Sequence, residues 1–191
     1  EHDRFNARLM ESEARYRALF ENNSVVMLVV DPTTGDIRDA NETAACYYGW
    51  SRQDLIRKNV TEINMMSPAE VVDSMLRFVS GERRNSQFRH RRADGSIRHV
   101  EVFSGSVKID GHDLLYSIVH DITEKQQAME RLHLLQTAIE AAPSGIVIAD
   151  ALGRIEWINP AFTAITGYDL QAVAGHTSSI LKSGRQGPAF Y

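Results

Sequence analysis

The chain has 191 residues, a formal net charge of -4 at pH 7 and a single cysteine, Cys46. This acidic balance excludes the basic face that a general nucleic-acid binder needs, so we expect no nucleic-acid partner. One cysteine excludes an intrachain disulfide framework, and no run of 18 apolar residues predicts a membrane span, so we expect a cytoplasmic protein.

The first predicted element is an N-terminal signalling helix over residues 1–19. Apolar residues recur in it at spacings of four, three, four and three, which is typical of a seam between two helices. The seam positions are Phe5, Leu9, Ser12, Tyr16 and Leu19. We expect Phe5–Leu19 to pair with its copy in a homodimer; the alternative is a helix that packs on its own sheet.

Two short strands and a short helix are predicted next. An apolar strand over Met27–Val30 leads into a turn rich in Asp, Gly and Thr, and a second strand follows. Asn41 is a favourable N-cap for the helix. Gly49 stands where the C-terminus of a helix favours a left-handed residue.

A longer helix follows, between Ser67 and Gly81. Ser67-Pro68-Ala69-Glu70 is a capping box with Pro in the first turn. The helix should bury a broad apolar face made of Val71, Val72, Met75, Leu76 and Val79.

Three strands complete this unit, over Ser86–Arg92, Ile97–Val107 and His112–His120. The dipeptides Asp94-Gly95 and Asp110-Gly111 predict the hairpin turns between them. Within the last strand, the apolar segment Leu114–Val119 predicts a buried strand.

The junction Asp121-Ile122-Thr123-Glu124 closes this unit and opens a helix over Lys125–Ala142. Its apolar positions repeat the four, three, four, three spacing, so we expect a second dimer contact. They are Ala128, Leu132, Leu135, Ile139 and Ala142.

The first unit is repeated. At an offset of 118 residues, Asn41 falls on Asn159 and Gly49 on Gly167. We therefore predict a first domain at 20–122, a linker helix at 123–142 and part of a second domain at 143–191. The second copy stops before its later strands, so we expect it to be loosely ordered or paired with another chain. The first residue, Glu1, suggests a fragment.

The order of elements resembles the PAS family. The matching stretches are Trp157–Tyr168, Arg91–Ser96 and Asp121–Glu124. The resemblance implies an α+β fold with a five-stranded antiparallel sheet, inserted helices, flanking signalling helices and a truncated second copy. It also implies a sensory or dimerisation module of bacterial signalling. The sequence contains no Gly-rich ATP loop, P-loop or cyclase-type active-site segment, so we expect no catalytic residues in this chain. The implied output is a domain that makes or degrades cyclic-di-GMP, with a histidine kinase as the alternative.

The cofactor is left unknown. At the two positions that correspond to the reactive cysteine of photoreactive flavin-binding relatives, this chain has Val60 and Ser178, so no cysteinyl-flavin adduct can form. In that branch, amide side chains at three strand positions bind the flavin ring. Two of the corresponding positions are apolar in this chain, Val100 and Val119. The inserted helix also lacks the histidine typical of haem-binding relatives, so we expect neither cofactor in the first domain.

His90 is the strongest candidate for a ligand-binding residue. Strand alternation places Phe88 and His90 on one face, where a histidine could hydrogen-bond a small anionic or polar ligand. The alternative is a buried histidine that only bonds a neighbouring group. The remaining candidates are Tyr47, Tyr48, Val100 and Ser104.

A metal site is not expected. Among His90, His99, His112 and His120, the first two should point to opposite faces of their hairpin. Two functions remain open: a sensor that responds to a small ligand, and an assembly module that dimerises an attached enzyme without a ligand.

Overall fold

The structure is a computed structural model that describes residues 18–21, 23–109 and 111–181. The predicted helix Phe5–Leu19 lies outside these residues except for its end, where Leu19 is 68% exposed. The chain divides into two compact units, Glu1–Gln126 and Gln127–Tyr191.

The first unit is an antiparallel sheet with helices inserted between its second and third strands. The strands are β1 (Val26–Val30), β2 (Ile37–Ala40), β3 (Asn85–Arg91), β4 (Ile97–Ile109) and β5 (His112–Asp121). The helices are α1 (Glu42–Tyr48), α2 (Arg52–Leu55), α3 (Val60–Ile63) and α4 (Pro68–Val79). The strands lie in the order β2-β1-β5-β4-β3, and all neighbours are antiparallel. The predicted α+β fold with a five-stranded sheet is therefore confirmed.

Side-chain caps set the helix boundaries where the sequence predicted them. Asn41 caps α1, because its Oδ1 accepts the Ala44 N–H at 2.9 Å, and the same oxygen accepts the Met27 N–H of β1 at 3.1 Å. Gly49 ends this helix at φ 80°, a left-handed conformation that glycine adopts without steric cost. Ser67 and Glu70 form the predicted capping box of α4.

The buried face of α4 differs from the predicted one. Val71 and Met75 are buried as expected, but Ser74 and Phe78 complete the face. The predicted core residues Val72, Leu76 and Val79 are 44%, 58% and 39% exposed. Positions 71, 74, 75 and 78 form a single helical stripe, and packing against one sheet buries only that stripe. The prediction was wrong by about one residue of helix rotation.

Strand β5 is buried on one face only. Leu115 and Val119 point into the core, whereas Tyr116 between them is 43% exposed. The predicted strand is present, but its burial is confined to one face, because helices cover one face of this antiparallel sheet and residues on such a strand alternate between core and solvent.

Helix α5 (Thr123–Ala141) follows β5. The described part of the second unit then contains the hairpin β6 (Val147–Ala149) and β7 (Ile155–Ile158), with helices α6 (Pro160–Thr166) and α7 (Leu170–Val173) and a 3-10 turn (Ser178–Leu181). Its small core consists of Ile155, Ile158, Phe162 and Val173.

The two units share a local structure around the repeated asparagine. Asn159 accepts the Phe162 N–H at 3.1 Å and the Ile146 N–H at 2.7 Å, as Asn41 does with α1 and β1. Gly167 ends α6 at φ 77°. The predicted repeat is therefore present in the fold. No helix among the described residues is both long and apolar enough to cross a membrane.

Candidate functional site

A cavity of about 50 Å³ lies between the inner face of the sheet and the inserted helices α3 and α4. Its walls are mainly aliphatic and aromatic side chains from β1, β4, β5 and α4. The polar residues that line it are Asn64, Ser74, His90, Ser104 and Ser117. No charged side chain is among the described residues that line this cavity.

His90 lies at one wall of the cavity and is 3% exposed. Its Nδ1 is 2.9 Å from the hydroxyl of Tyr48, which is completely buried. The Phe88 ring stacks near the His90 ring at a centroid distance of 6.0 Å. Burial lowers the pKa of His90 to about 4, so its imidazole is neutral at pH 7.

The register of the β3–β4 hairpin separates the histidines. His90 pairs with Arg98 and His99 with Arg89, so His90 and His99 point to opposite faces, as expected. Among the described residues, no group of three or more His, Cys, Asp or Glu side chains is arranged to hold a metal ion.

The structure brings some of the candidate residues together and separates others. Phe88, His90 and Ser104 line the cavity. Tyr48 does not line the cavity, but its hydroxyl is hydrogen-bonded to His90, which does. Val100 is fully buried in the surrounding core but is not part of the cavity wall. Tyr47 does not line the cavity, and its hydroxyl bonds Asp121 instead.

Sequence reasoning did not name most of the lining residues as site candidates, and among those it missed are the polar Asn64, Ser74 and Ser117. Ser117 was detectable, because it lies between Leu115 and Val119 on the buried face of a strand with a period of two. Its hydroxyl is 2.8 Å from that of Ser104. Asn64 follows α3 in a loop, where no periodic signal exists.

Tyr47 connects α1 to the start of α5. Its hydroxyl donates to Asp121 Oδ2 at 2.8 Å, while Asp121 Oδ1 accepts the Thr123 N–H at 2.8 Å. Burial raises the pKa of Asp121, but the hydrogen bonds from Thr123 and Tyr47 outweigh it and lower that pKa overall. Burial and the bond to Asp121 raise the pKa of Tyr47.

The same junction is fixed to β4. The Ile122 N–H donates to the carbonyl of His99 at 2.8 Å, and the His99 N–H donates to Thr123 Oγ1 at 2.9 Å. Because Tyr47 and Tyr48 are neighbours on α1, one helical segment contacts both the histidine of the cavity and the first turn of α5.

The apolar seam predicted on α5 faces solvent in the single chain. Leu132 and Leu135 are 68% and 51% exposed. Ala128 is exposed, Ile139 is half-buried, and Ala142 lies just beyond the end of the helix.

Comparison with known proteins identifies relatives of both units. One family model, described as a PAS domain, matches residues 23–124, and a second PAS domain model matches residues 133–186. A PAS domain of an HTR-like protein from Haloarcula marismortui is 30% identical; the match covers 63% of this chain and 99% of that one, with a TM-score of 0.56.

Two signalling enzymes are also similar over part of their length. The diguanylate cyclase DgcM of Escherichia coli strain K12 is 38% identical over 120 residues, which is 61% of this chain and 29% of the cyclase. The sensor histidine kinase TmoS of Ectopseudomonas mendocina is 26% identical over 136 residues, or 69% of this chain and 14% of the kinase. The matches thus span less than a third of either relative.

Proposed function

We propose that this chain, which belongs to the PAS domain family, is the sensory region of a bacterial signalling protein. A small ligand in the cavity of the first unit changes the position of α5, and α5 passes that change to an attached output domain. The chain itself carries out no catalysis.

The observation that carries this proposal is the double contact of α1. Tyr48 holds His90 at the cavity wall, and the adjacent Tyr47 holds Asp121, which caps the first turn of α5. A ligand that displaces the His90 ring changes the position of Tyr48. Because Tyr47 and Tyr48 belong to the same helical turn, the bond to Asp121 changes with it. Packed elements respond to such displacements as units, so α5 moves or rotates.

The organisation of the chain fits this role. We assign residues 20–122 to a first PAS domain, 123–142 to a linker helix and 143–191 to part of a second PAS domain. The exposure of Leu132 and Leu135 at seam positions supports a homodimer through Ala128–Ala142. The proposed second contact is Phe5–Leu19. The similarity to a diguanylate cyclase favours cyclic-di-GMP synthesis or degradation as the output, with a histidine kinase as the alternative. The single cysteine is consistent with a reducing cytoplasm.

A native mass spectrum of the purified chain, compared with a denatured one, tests the sensory role. We expect an added mass that is lost on denaturation. Substitution Ser104→Leu fills the cavity and should remove this mass, whereas Ser106→Leu is the matched control on the same strand, because Ser106 is exposed. Hydrogen exchange in α5 should differ between the ligand-bound and ligand-free chain.

An assembly module without a ligand is the second candidate, and the exposed leucines of α5 favour it. In that case the native spectrum shows a dimer with no added mass. The Ser104→Leu and Ser106→Leu variants then give the same exchange in α5 as the unsubstituted chain, and the sensory proposal fails.

A further inference from the structure

We infer that the ligand of the cavity is an uncharged molecule of a few non-hydrogen atoms that offers a hydrogen-bond acceptor, such as a ketone or aldehyde oxygen, to the Nε2–H of His90. This inference rests on the proposed sensory function. It specifies the chemical class of the ligand and the residue that selects it.

The size and charge of the cavity limit the ligand. A volume of about 50 Å³ corresponds to a few water molecules, since one water needs roughly 10–15 Å³ measured in the same way. The described lining residues carry no charge that could pair with an ion. Because an unpaired ion loses its hydration on burial without compensation, a neutral ligand is favoured over a carboxylate or an amine.

The bond between Tyr48 and His90 fixes which ring nitrogen carries the proton. Tyr48 is completely buried, and Nδ1 of His90 is the one acceptor within hydrogen-bond distance of its hydroxyl among the described residues. If Nδ1 carried the proton, the Tyr48 O–H would be buried without an acceptor, which is costly. The hydroxyl therefore donates to Nδ1, and the proton of the neutral imidazole is on Nε2.

That Nε2–H has no protein acceptor in the part of the chain that the structure describes. His90 is 3% exposed and lines the cavity, so a ligand in the cavity is the available partner. Nε2 is not among the fully buried unpaired side-chain atoms of the described residues, which are Ser96 Oγ and Arg98 Nε, so it keeps some accessible surface for a partner. Donors of residues as buried as His90 are usually hydrogen-bonded in native proteins. A ligand with an acceptor atom can accept the hydrogen bond from the Nε2–H, whereas an alkane has no atom that can.

Two other lining residues supply donors as well. The Asn64 Oδ1 accepts the Met66 N–H at 2.9 Å, which leaves its amide hydrogens as donors. Ser74 is 7% exposed, and its hydroxyl bonds no protein group within the described ranges. Together with His90 Nε2, these groups offer hydrogen-bond donors without a charge in the lining of the cavity, and the oxygen of a carbonyl-type ligand can accept from them.

Nitrogen NMR of the chain labelled with ¹⁵N-histidine tests the tautomer directly. Long-range ¹H–¹⁵N correlations at pH 7 should show a protonated Nε2 and an unprotonated Nδ1 for His90. Substitution Tyr48→Phe removes the hydroxyl that sets this preference, so the variant should populate both tautomers. A protonated Nδ1 in the unsubstituted chain, or a charged ring, would overturn the inference.

The ligand class is tested by titration with 2-butanone and with propionate, which are similar in size and differ in charge. Backbone amide shifts of cavity residues should respond to 2-butanone, and propionate should bind at least tenfold more weakly. Substitution His90→Phe removes the donor and should weaken 2-butanone binding by about threefold to tenfold. His99→Phe is the control, because His99 faces away from the cavity.

The possible failures are distinguishable. If propionate binds as tightly as 2-butanone, or if His90→Phe binds 2-butanone unchanged, the ligand class is wrong while the sensory role stands. If neither probe shifts a cavity resonance and the purified chain shows no bound mass, the proposed function fails, and this inference fails with it.

Discussion

Substitution Tyr47→Phe removes the hydrogen bond that joins α1 to the start of α5 and leaves the ring in place. The lost bond is 2.8 Å long and ends on the carboxylate of Asp121. Hydrogen bonds to charged groups contribute about 1.5–3 kcal/mol, but partial exposure of this pair reduces the effect to about 1 kcal/mol. Thr123 keeps its own bond to Asp121, so the helix cap persists.

Amide hydrogen exchange at Gln126 measures the effect on α5. The Gln126 N–H donates to the carbonyl of Ile122 at 2.9 Å and reports the first turn. A loss of about 1 kcal/mol should increase local opening by about fivefold. Tyr168→Phe is the control, because the Tyr168 hydroxyl makes no hydrogen bond within the described residues. If Gln126 exchanges equally in both variants, Tyr47 does not hold the first turn, and the proposed connection between the cavity and α5 is refuted.

Three further predictions concern stability, pH and assembly. Asn41→Ala removes a helix cap and the donor to the Phe20 and Val25 carbonyls. The free energy of unfolding measured in urea should therefore fall by about 2–4 kcal/mol. A loss below about 1 kcal/mol would contradict this role of Asn41. Burial lowers the pKa of His90 from its ordinary value of about 6.5 to about 4 in the folded chain, so its contribution to stability is complete above pH 6.5 and decreases as the pH falls toward 4. Between pH 7 and pH 5 the loss should be about 2 kcal/mol, and His90→Gln should abolish that portion of the pH dependence in urea titrations. Leu135→Glu should raise the dimer dissociation constant at least tenfold in sedimentation equilibrium. Leu134→Glu is the control and should leave it unchanged, because Leu134 is 68% exposed but lies outside the predicted seam. Equal effects of the two substitutions would contradict the predicted seam.

Local boundaries could be predicted because single residues determine them. Asn41, Gly49 and the Ser67–Glu70 capping box act on backbone groups within a few residues, so their effect does not depend on distant parts of the chain. The repeat of Asn41 at Asn159 was predictable for the same reason. The fold followed from the order of these local signals together with the resemblance to a family.

The candidate site was predictable only in part. Alternation along β3 placed Phe88 and His90 on one face, and both line the cavity. The contact of Tyr47 with Asp121 was not predictable, because the two residues lie 74 positions apart in the chain and no local signal indicates their contact. The rotation of α4 was also undetermined, since Val72 and Leu76 are as apolar as the residues that are buried.

The sequence by itself therefore determined the strands, the helix caps and the repeated unit, because these depend on interactions between near neighbours. The tertiary structure decided which face of α4 closes the cavity, which nitrogen of His90 bonds Tyr48, and that Tyr47 meets Asp121. Each of these depends on packing between segments that are distant in the chain, and the hydrophobic effect that drives such packing is non-directional. Several side chains of similar polarity could make each of these contacts, and only the folded structure determines which of them does.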